Sequence, residues 1–463
     1  MALPHPVIVV PGITASDLRD AYAVSPEAVW TTLLNKQYER IMLHPDDRRY
    51  ELSEPARVVP WAVFGTPYGA FIEELRHNLS QKRDEPVPVY PFAYDWRQPL
   101  DLIERQLGAF VDEVIARTRL MRHYHREGFA EHPRVNLVGH SMGGLVIAGY
   151  LERLGTKARV HKVATLGSPF RGSLEAPVKI VTGTASLGPD PSTDSREREA
   201  ARLTPALYHL LPSFAESVLT EPGLPKDLFA VGTWQQGVID TLAEFIRLHG
   251  LQPGSSKAAR RAAAEALLGD MLTVAKQHRR RIELLDLEAT SVGSTDHWLC
   301  IVGVDARTRV RLRIEKQQGT PLFNLTGADR VNTWSAEGVD EAGREATGDG
   351  TVPFLGAVPG FLPRRQLVCV RPDDFGYWEL KDKALLTAAG FHALLPGLNL
   401  AQRLVVSHLR GRPTKGVWGW LPPGVSLQEW MPPIAGLEAR DSRQSPAPKR
   451  RKVARKARKP RKV

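Results

Sequence analysis

Cysteine is nearly missing: the 463 residues contain two, Cys300 and Cys369. They sit inside the apolar runs LCIVGV and QLVCV, so a disulfide framework is excluded and both are expected to be small core residues. No apolar run approaches the length of a membrane-spanning helix. The first residues, MALPHPVIVVPG, show no basic stretch leading into a signal-length apolar segment. The expected location is therefore the cytoplasm, at the periphery of a membrane if some other segment binds one. Nothing in the pattern of His, Cys, Asp and Glu has metal-ligand spacing, so neither a metal nor a cofactor is expected.

Acidic residues are absent from the last fifteen positions, where ten of the chain's eleven excess positive charges lie (Lys449 to Lys462). Residues 1–448 are thus nearly neutral. PAPKRRKVARKARKPRKV cannot bury a core and is expected to be a disordered polycation attracting the phosphates of an anionic membrane or of nucleic acid. Hydrophobic and charged contents of 42% and 24% are those of a soluble globular protein. The length exceeds what one compact domain needs, which favours a core with an insertion.

Short β-branched runs recur along the chain: PVIVVPG, VPVYPFAYDW, RVNLVG, RVHKVATLG, LCIVGV and QLVCV. Between two of them Asp101 is expected to cap an amphipathic helix running through Ile103, Leu107, Val111 and Val114. Strands alternating with helices predict an α/β fold with a mostly parallel sheet covered on both faces. From Pro169 to about Thr295 the pattern turns strand-poor. It includes the Pro/Ser-rich SLGPDPSTDS and a helical stretch from Ser255 or Ser256 through QHRRR. The expected organisation is a first core part over 1–174, a cap or lid over 175–294, a second core part over 295–412, and a Pro/Gly-rich linker with the basic tail over 413–463.

GHSMGG (139–144) lies directly between the strand-like RVNLVG and the helix-patterned LVIAGYLERL. A serine in a strand, tight turn, helix arrangement is a nucleophile elbow, and the small residues Gly139 and Gly143 let strand and helix approach closely. A nucleophilic serine needs a base and an orienting carboxylate on loops after later strands. Asp349 in GDGTVPF and His392 in GFHALLPGL follow in that order. Asp349 alone would be an ordinary turn residue. His297 with Asp296, His408 and His140 are rival bases, less well placed relative to the strands.

Taken together, PVIVVPGITASDL, VW at 29–30, PFAYDWR, GHSMGG, LGSPFRGS, LCIVGV, GDGTVP and FHALL resemble the ordered motif set of the lecithin:cholesterol acyltransferase family of α/β-hydrolases, over about residues 6–410. The resemblance implies a serine esterase, lipase, phospholipase or acyltransferase acting on a lipid ester. It implies Ser141 as nucleophile, Asp349 as acid and His392 as base. It also implies Ile13, which follows Gly12, and Met142 as backbone donors of the oxyanion hole. Asp95, Trp96 and Arg97 match the family's DWR stretch and are expected to form a buried polar anchor near the site. The alternative is a catalytically inert hydrolase-fold binding module delivered to nucleic acid or an anionic membrane by its tail; such decay would be expected to remove part of the constellation, and none is visibly missing.

Overall fold

A computed structural model describes residues 4–32, 35–43, 57–126, 129–183, 195–250, 255–376, 390–412 and 414–442. The basic tail and most of SLGPDPSTDS lie outside the described residues. Eight strands build the central sheet: β1 (Val7–Val10), β2 (Val89–Pro91), β3 (Val135–His140), β4 (Val160–Leu166), β5 (Trp298–Gly303), β6 (Val368–Val370), β7 (Trp418–Trp420) and β8 (Glu438–Arg440). Their spatial order is β8-β7-β6-β5-β4-β3-β1-β2. Every pairing is parallel except β6 with β7. β1, β3, β5 and β6 are buried at every position, as continuous apolar runs covered on both faces must be. Cys300 and Cys369 are buried and unbonded within β5 and β6.

The helices that matter for the site are α1 (Gly65–Leu79), α2 (Leu100–Arg119), α3 (Met142–Leu154), α4 (Lys257–Glu283) and α5 (Asn399–Arg410). Helix α2 buries Ile103, Leu107, Val111 and Val114, the face its periodicity predicts. Asp101, however, sits in its first turn and Pro99 is the cap; proline pre-sets the backbone there. Ser256 caps α4, its Oγ accepting from the Ala259 N–H at 3.1 Å. Among the described residues no helix is long and apolar enough to cross a membrane.

Between β4 and β5 the described segments are helical apart from the short strand Val218–Thr220, which pairs with Leu312–Gln317 in a separate three-stranded sheet. A four-stranded antiparallel sheet formed by Ser16–Asp20, Glu27–Thr31, Asn35–Lys36 and Val58–Val63 follows β1. The expectation of a linker from 413 onward is corrected by β7 and β8, which extend the sheet edge. Asp374 accepts from the indole N–H groups of Trp418 and Trp420, and Arg371 stacks on Trp420 at 3.9 Å. These contacts hold three-residue strands that backbone propensity alone would not.

His140, His278 and His408 are buried and His5 and His161 half-buried, with a measurable consequence. The His5 and His161 rings lie 4.5 Å apart, tilted at 54°, and His161 lies 5.5 Å from His297; His278 meets Glu104 at 2.8 Å between α4 and α2. Burial lowers His5 and His408 to about 4, His161 and His278 to about 3, and His140 well below its ordinary value. Below pH 6.5 the unfolded chain takes up protons that the folded one refuses, so stability falls as pH drops from about 6.5 toward 4. Glu104, which burial raises to about 7, opposes this by releasing a proton on unfolding. Calorimetric midpoints between pH 7.5 and 5 are expected to fall steadily as pH is lowered; a flat profile would contradict the assignment.

Candidate active site

Three loops converge at the carboxyl ends of the parallel strands, the edge at which open α/β sheets place their sites. Ser141 occupies the turn between β3 and α3 with φ 53° and ψ −127°, a backbone conformation that non-glycine residues adopt only when their surroundings enforce it. The enforcement is steric. A β-carbon at Gly139 would run into the Gly144 amide, and one at Gly143 into the Val10 carbonyl. The Ser141 N–H donates to the Leu166 carbonyl on neighbouring β4 at 2.9 Å. Strand β3 and helix α3 therefore pinch the serine outward.

His392 Nε2 lies 2.9 Å from Ser141 Oγ, and His392 Nδ1 lies 2.6 Å from Asp349 Oδ2. A carboxylate only accepts, so Nδ1 carries the proton and the Nε2 lone pair faces the serine hydroxyl. Asp349 Oδ1 accepts from the backbone N–H groups of Thr351 (3.0 Å) and Val352 (2.7 Å). The His392 N–H also donates to the Asp349 carbonyl at 3.1 Å. Side chain and main chain thus tie the two loops together. Ser141, His392 and Asp349 are 7%, 3% and 1% exposed, so these bonds operate away from bulk water, where they are strengthened.

Met142 directly follows the serine in the chain, and Ile13 follows Gly12, the residue that packs against the serine. Met142 opens α3, where the first N–H groups have no intrahelical acceptor. In the turn after β1 the Pro11 carbonyl accepts from the Tyr94 hydroxyl at 2.7 Å, and the Gly12 N–H donates to the Tyr68 hydroxyl at 3.0 Å. Among the described residues the intervening Ile13 N–H has no hydrogen-bond partner. The Thr14 carbonyl accepts from Trp30 Nε1 and Thr32 Oγ1, which holds Thr14 at φ 64°. Gly12 itself is close enough that a β-carbon would lie 3.0 Å from the Ser141 β-carbon.

Asp95 and Arg97 form a buried bidentate pair at 2.8 Å for both bonds. Arg97 also reaches the Ile41 carbonyl. Trp96 donates to the Ser16 carbonyl and packs on Trp30 at 4.9 Å. A cavity of about 50 Å³ adjoins Ile13, walled by Thr14, Trp30, Ile41, Trp96 and, from the helical stretch after β4, Leu207.

Of the rival histidines, His297 turns its ring to the Val292 carbonyl and His408 lies against the His297 carbonyl; neither meets Ser141. His140 points its Nε2 at the His392 carbonyl, 2.9 Å away. Tyr68, Tyr94 and Thr32 escaped the motif reading. Tyr94 lies within PFAYDWR, but nothing in its spacing tells which way its hydroxyl turns. Tyr68 carries no sequence signal, since its partners stand 56 and 72 residues away.

The family model described as lecithin:cholesterol acyltransferase matches residues 77–233. The crystal structure of a Tle4–Tli4 complex contains a chain 14% identical to this one, covering 77% of this chain and 89% of its own with a TM-score of 0.53; at that identity the likeness establishes the fold. The structure of the lin2722 products from Listeria innocua, also 14% identical, covers 50% of this chain and 74% of that one at a TM-score of 0.18. No curated protein matches the chain by sequence. This chain is an α/β-hydrolase-fold protein that matches the lecithin:cholesterol acyltransferase family over residues 77–233.

Proposed function

We propose that the protein is a serine esterase of lipase type, which cleaves or transfers the acyl group of a lipid ester through Ser141, His392 and Asp349. The single observation that carries this is the directed pair of hydrogen bonds from Asp349 through His392 to Ser141. His392 Nε2 takes the Ser141 proton as Oγ attacks the ester carbonyl carbon. The charge that develops on the carbonyl oxygen is held by the Ile13 and Met142 N–H groups, which are fixed before the charge appears. Collapse expels the alcohol, to which the His392 imidazolium returns the proton, and leaves an acyl group on Ser141. Water or a second alcohol, deprotonated in turn by His392, then releases it.

Residues 175–294 act in this reading as a lid. Leu207 from that stretch and Trp30, Ile41 and Trp96 from the core form the apolar part of the wall next to Ile13, which Lys36, Lys179 and Glu197 complete; at about 50 Å³ the cavity has room for only the first carbons of an acyl chain. The anchor at Asp95 and Arg97 steadies the wall and takes no part in proton transfer.

The competing possibility is an inert binding module, and a fluorophosphonate probe separates the two. The esterase reading expects stoichiometric labelling of the intact protein, mapped to Ser141 by peptide mass spectrometry. No labelling, or labelling elsewhere, rejects it. Incubation of the protein with a total lipid extract then resolves the outcome of the second half-reaction: free fatty acid marks hydrolysis and new esters mark transfer.

A further inference from the structure

A second chain of hydrogen bonds runs behind the nucleophile. The Gly12 N–H donates to Tyr68 Oη at 3.0 Å, Tyr68 Oη meets His140 Nδ1 at 2.5 Å, and His140 Nε2 meets the His392 backbone carbonyl at 2.9 Å. Its directions are determined by valence. The His392 carbonyl can only accept, so Nε2 of His140 bears the proton; the bare Nδ1 accepts from the Tyr68 hydroxyl, whose oxygen accepts from Gly12. Each bond polarises the next in the same sense. Tyr68 comes from α1, Gly12 from the turn after β1, His140 from the end of β3 and His392 from the short helical segment that begins at Gly390. Separate segments of the site are therefore bolted to one another by two side chains, neither of which is the hydrogen-bond partner of Ser141 Oγ.

We propose, resting on the esterase reading above, that Tyr68 and His140 are positioning residues that hold the oxyanion turn and the general base in one fixed relation. With the Gly12 N–H committed to Tyr68 and the Pro11 carbonyl to Tyr94, the peptide between Pro11 and Gly12 cannot rotate without breaking a buried bond; the next peptide, whose Gly12 carbonyl accepts from the Ala15 N–H at 3.4 Å, is built on that fixed unit and keeps the Ile13 N–H aimed. With the His392 carbonyl held by His140, the imidazole keeps its Nε2 on Ser141. Preorganisation of this kind lets an oxyanion donor act without reorganising when the charge forms. Burial supports the assignment of directions: it holds His140 far below its ordinary pKa and raises the Tyr68 hydroxyl, so both stay neutral and each keeps one proton to give. The rings of His140 and His392 are 5.0 Å apart, so a neutral His140 is also what an imidazolium at His392 requires.

The test uses the full-length protein, a short p-nitrophenyl ester, and temperatures well below the unfolding midpoint of each variant. Tyr68→Phe keeps the ring and removes the hydroxyl. It is expected to lower kcat about tenfold while KM stays within about twofold, the signature of an interaction realised in the transition state. The fluorophosphonate labelling rate should fall in parallel. His140→Leu cuts both bonds, whereas His140→Gln can present an amide N–H where Nε2 stood; Gln is expected to regain about threefold in kcat over Leu. A merely structural contact would move the melting midpoint and leave this split and the Gln rescue undetected. Wild-type kcat in Tyr68→Phe, a loss confined to KM, or equal kcat in His140→Leu and His140→Gln would overturn the proposal. If Tyr68→Phe does not fold, the Leu and Gln comparison decides alone. A wild-type protein that neither turns over the ester nor labels rejects the esterase reading itself, whereas an active wild type with unaffected variants rejects only the positioning role.

Discussion

Ser141→Ala is expected to lower kcat for a short p-nitrophenyl ester by about 10⁵- to 10⁶-fold, the usual cost of losing the nucleophile from a unit whose members act together. Folding should hardly notice. The side chain lost is one hydroxyl whose hydrogen-bond partner is His392 Nε2 at 2.9 Å, and alanine adopts the backbone of this turn no less readily than serine does. The expected change in stability is within about 1 kcal/mol, so the melting midpoint serves as an internal control. Asp349→Asn should lie between the extremes at about a 10⁴-fold loss, because an amide in place of Oδ2 favours the wrong imidazole tautomer. A Ser141→Ala protein that hydrolyses the ester at the wild-type rate would show that another group does the chemistry. That ranking of the two variants also separates an imidazole-orienting role for Asp349 from a purely loop-closing one, since its bonds to the Thr351 and Val352 amides involve Oδ1.

What the sequence made legible were features written in local pattern. RVNLVG followed by GHSMGG and an apolar helix repeat reads directly as β3, turn and α3, because the β-branched run, the glycines and the 3.6-residue period all lie within twenty residues. Asp349 and His392 came from order rather than pattern; each is unremarkable in its own segment. What stayed hidden depended on contacts remote in sequence. Glu104 interrupts the apolar face of α2 and reads as an exposed position, yet it is fully buried because His278, Arg281 and Arg153 gather round it from α4 and α3. The strands at 418–420 and 438–440 are three residues each amid prolines and glycines, held by side-chain contacts remote in sequence: Asp374 and Arg371 against Trp418 and Trp420, and Arg440 stacked on Trp418 at 3.8 Å. Tyr68 belongs to the same class: a tyrosine on an amphipathic helix looks like core until its hydroxyl is seen between Gly12 and His140.

Asp95→Ala should be the most destabilising of the substitutions considered, by about 3–5 kcal/mol, since it strands a buried guanidinium that has lost a bidentate carboxylate. Arg97 is 1% exposed and cannot turn to water without moving the loop after β2. Asp95 further accepts from the Arg97 N–H and from Gln98 Nε2, so the carboxylate organises this turn as well as neutralising it. The companion variant Asp95→Ala/Arg97→Met removes the stranded charge and is expected to recover a good part of the loss, because a well-packed apolar replacement often matches a buried ion pair. Chemical denaturation of the single and double variants measures both terms. Catalysis gives the other half of the test. Trp96 packs on Trp30, and Trp30 holds the Thr14 carbonyl beside Ile13, so the anchor touches the reaction only by supporting that wall. Below its melting midpoint the double variant should keep kcat within about fivefold of wild type, the range of a supporting contact and far from the 10⁴-fold of a proton-transfer group. A double variant as stable as expected but inactive by several orders of magnitude would mean that Asp95 or Arg97 takes part in the chemistry after all.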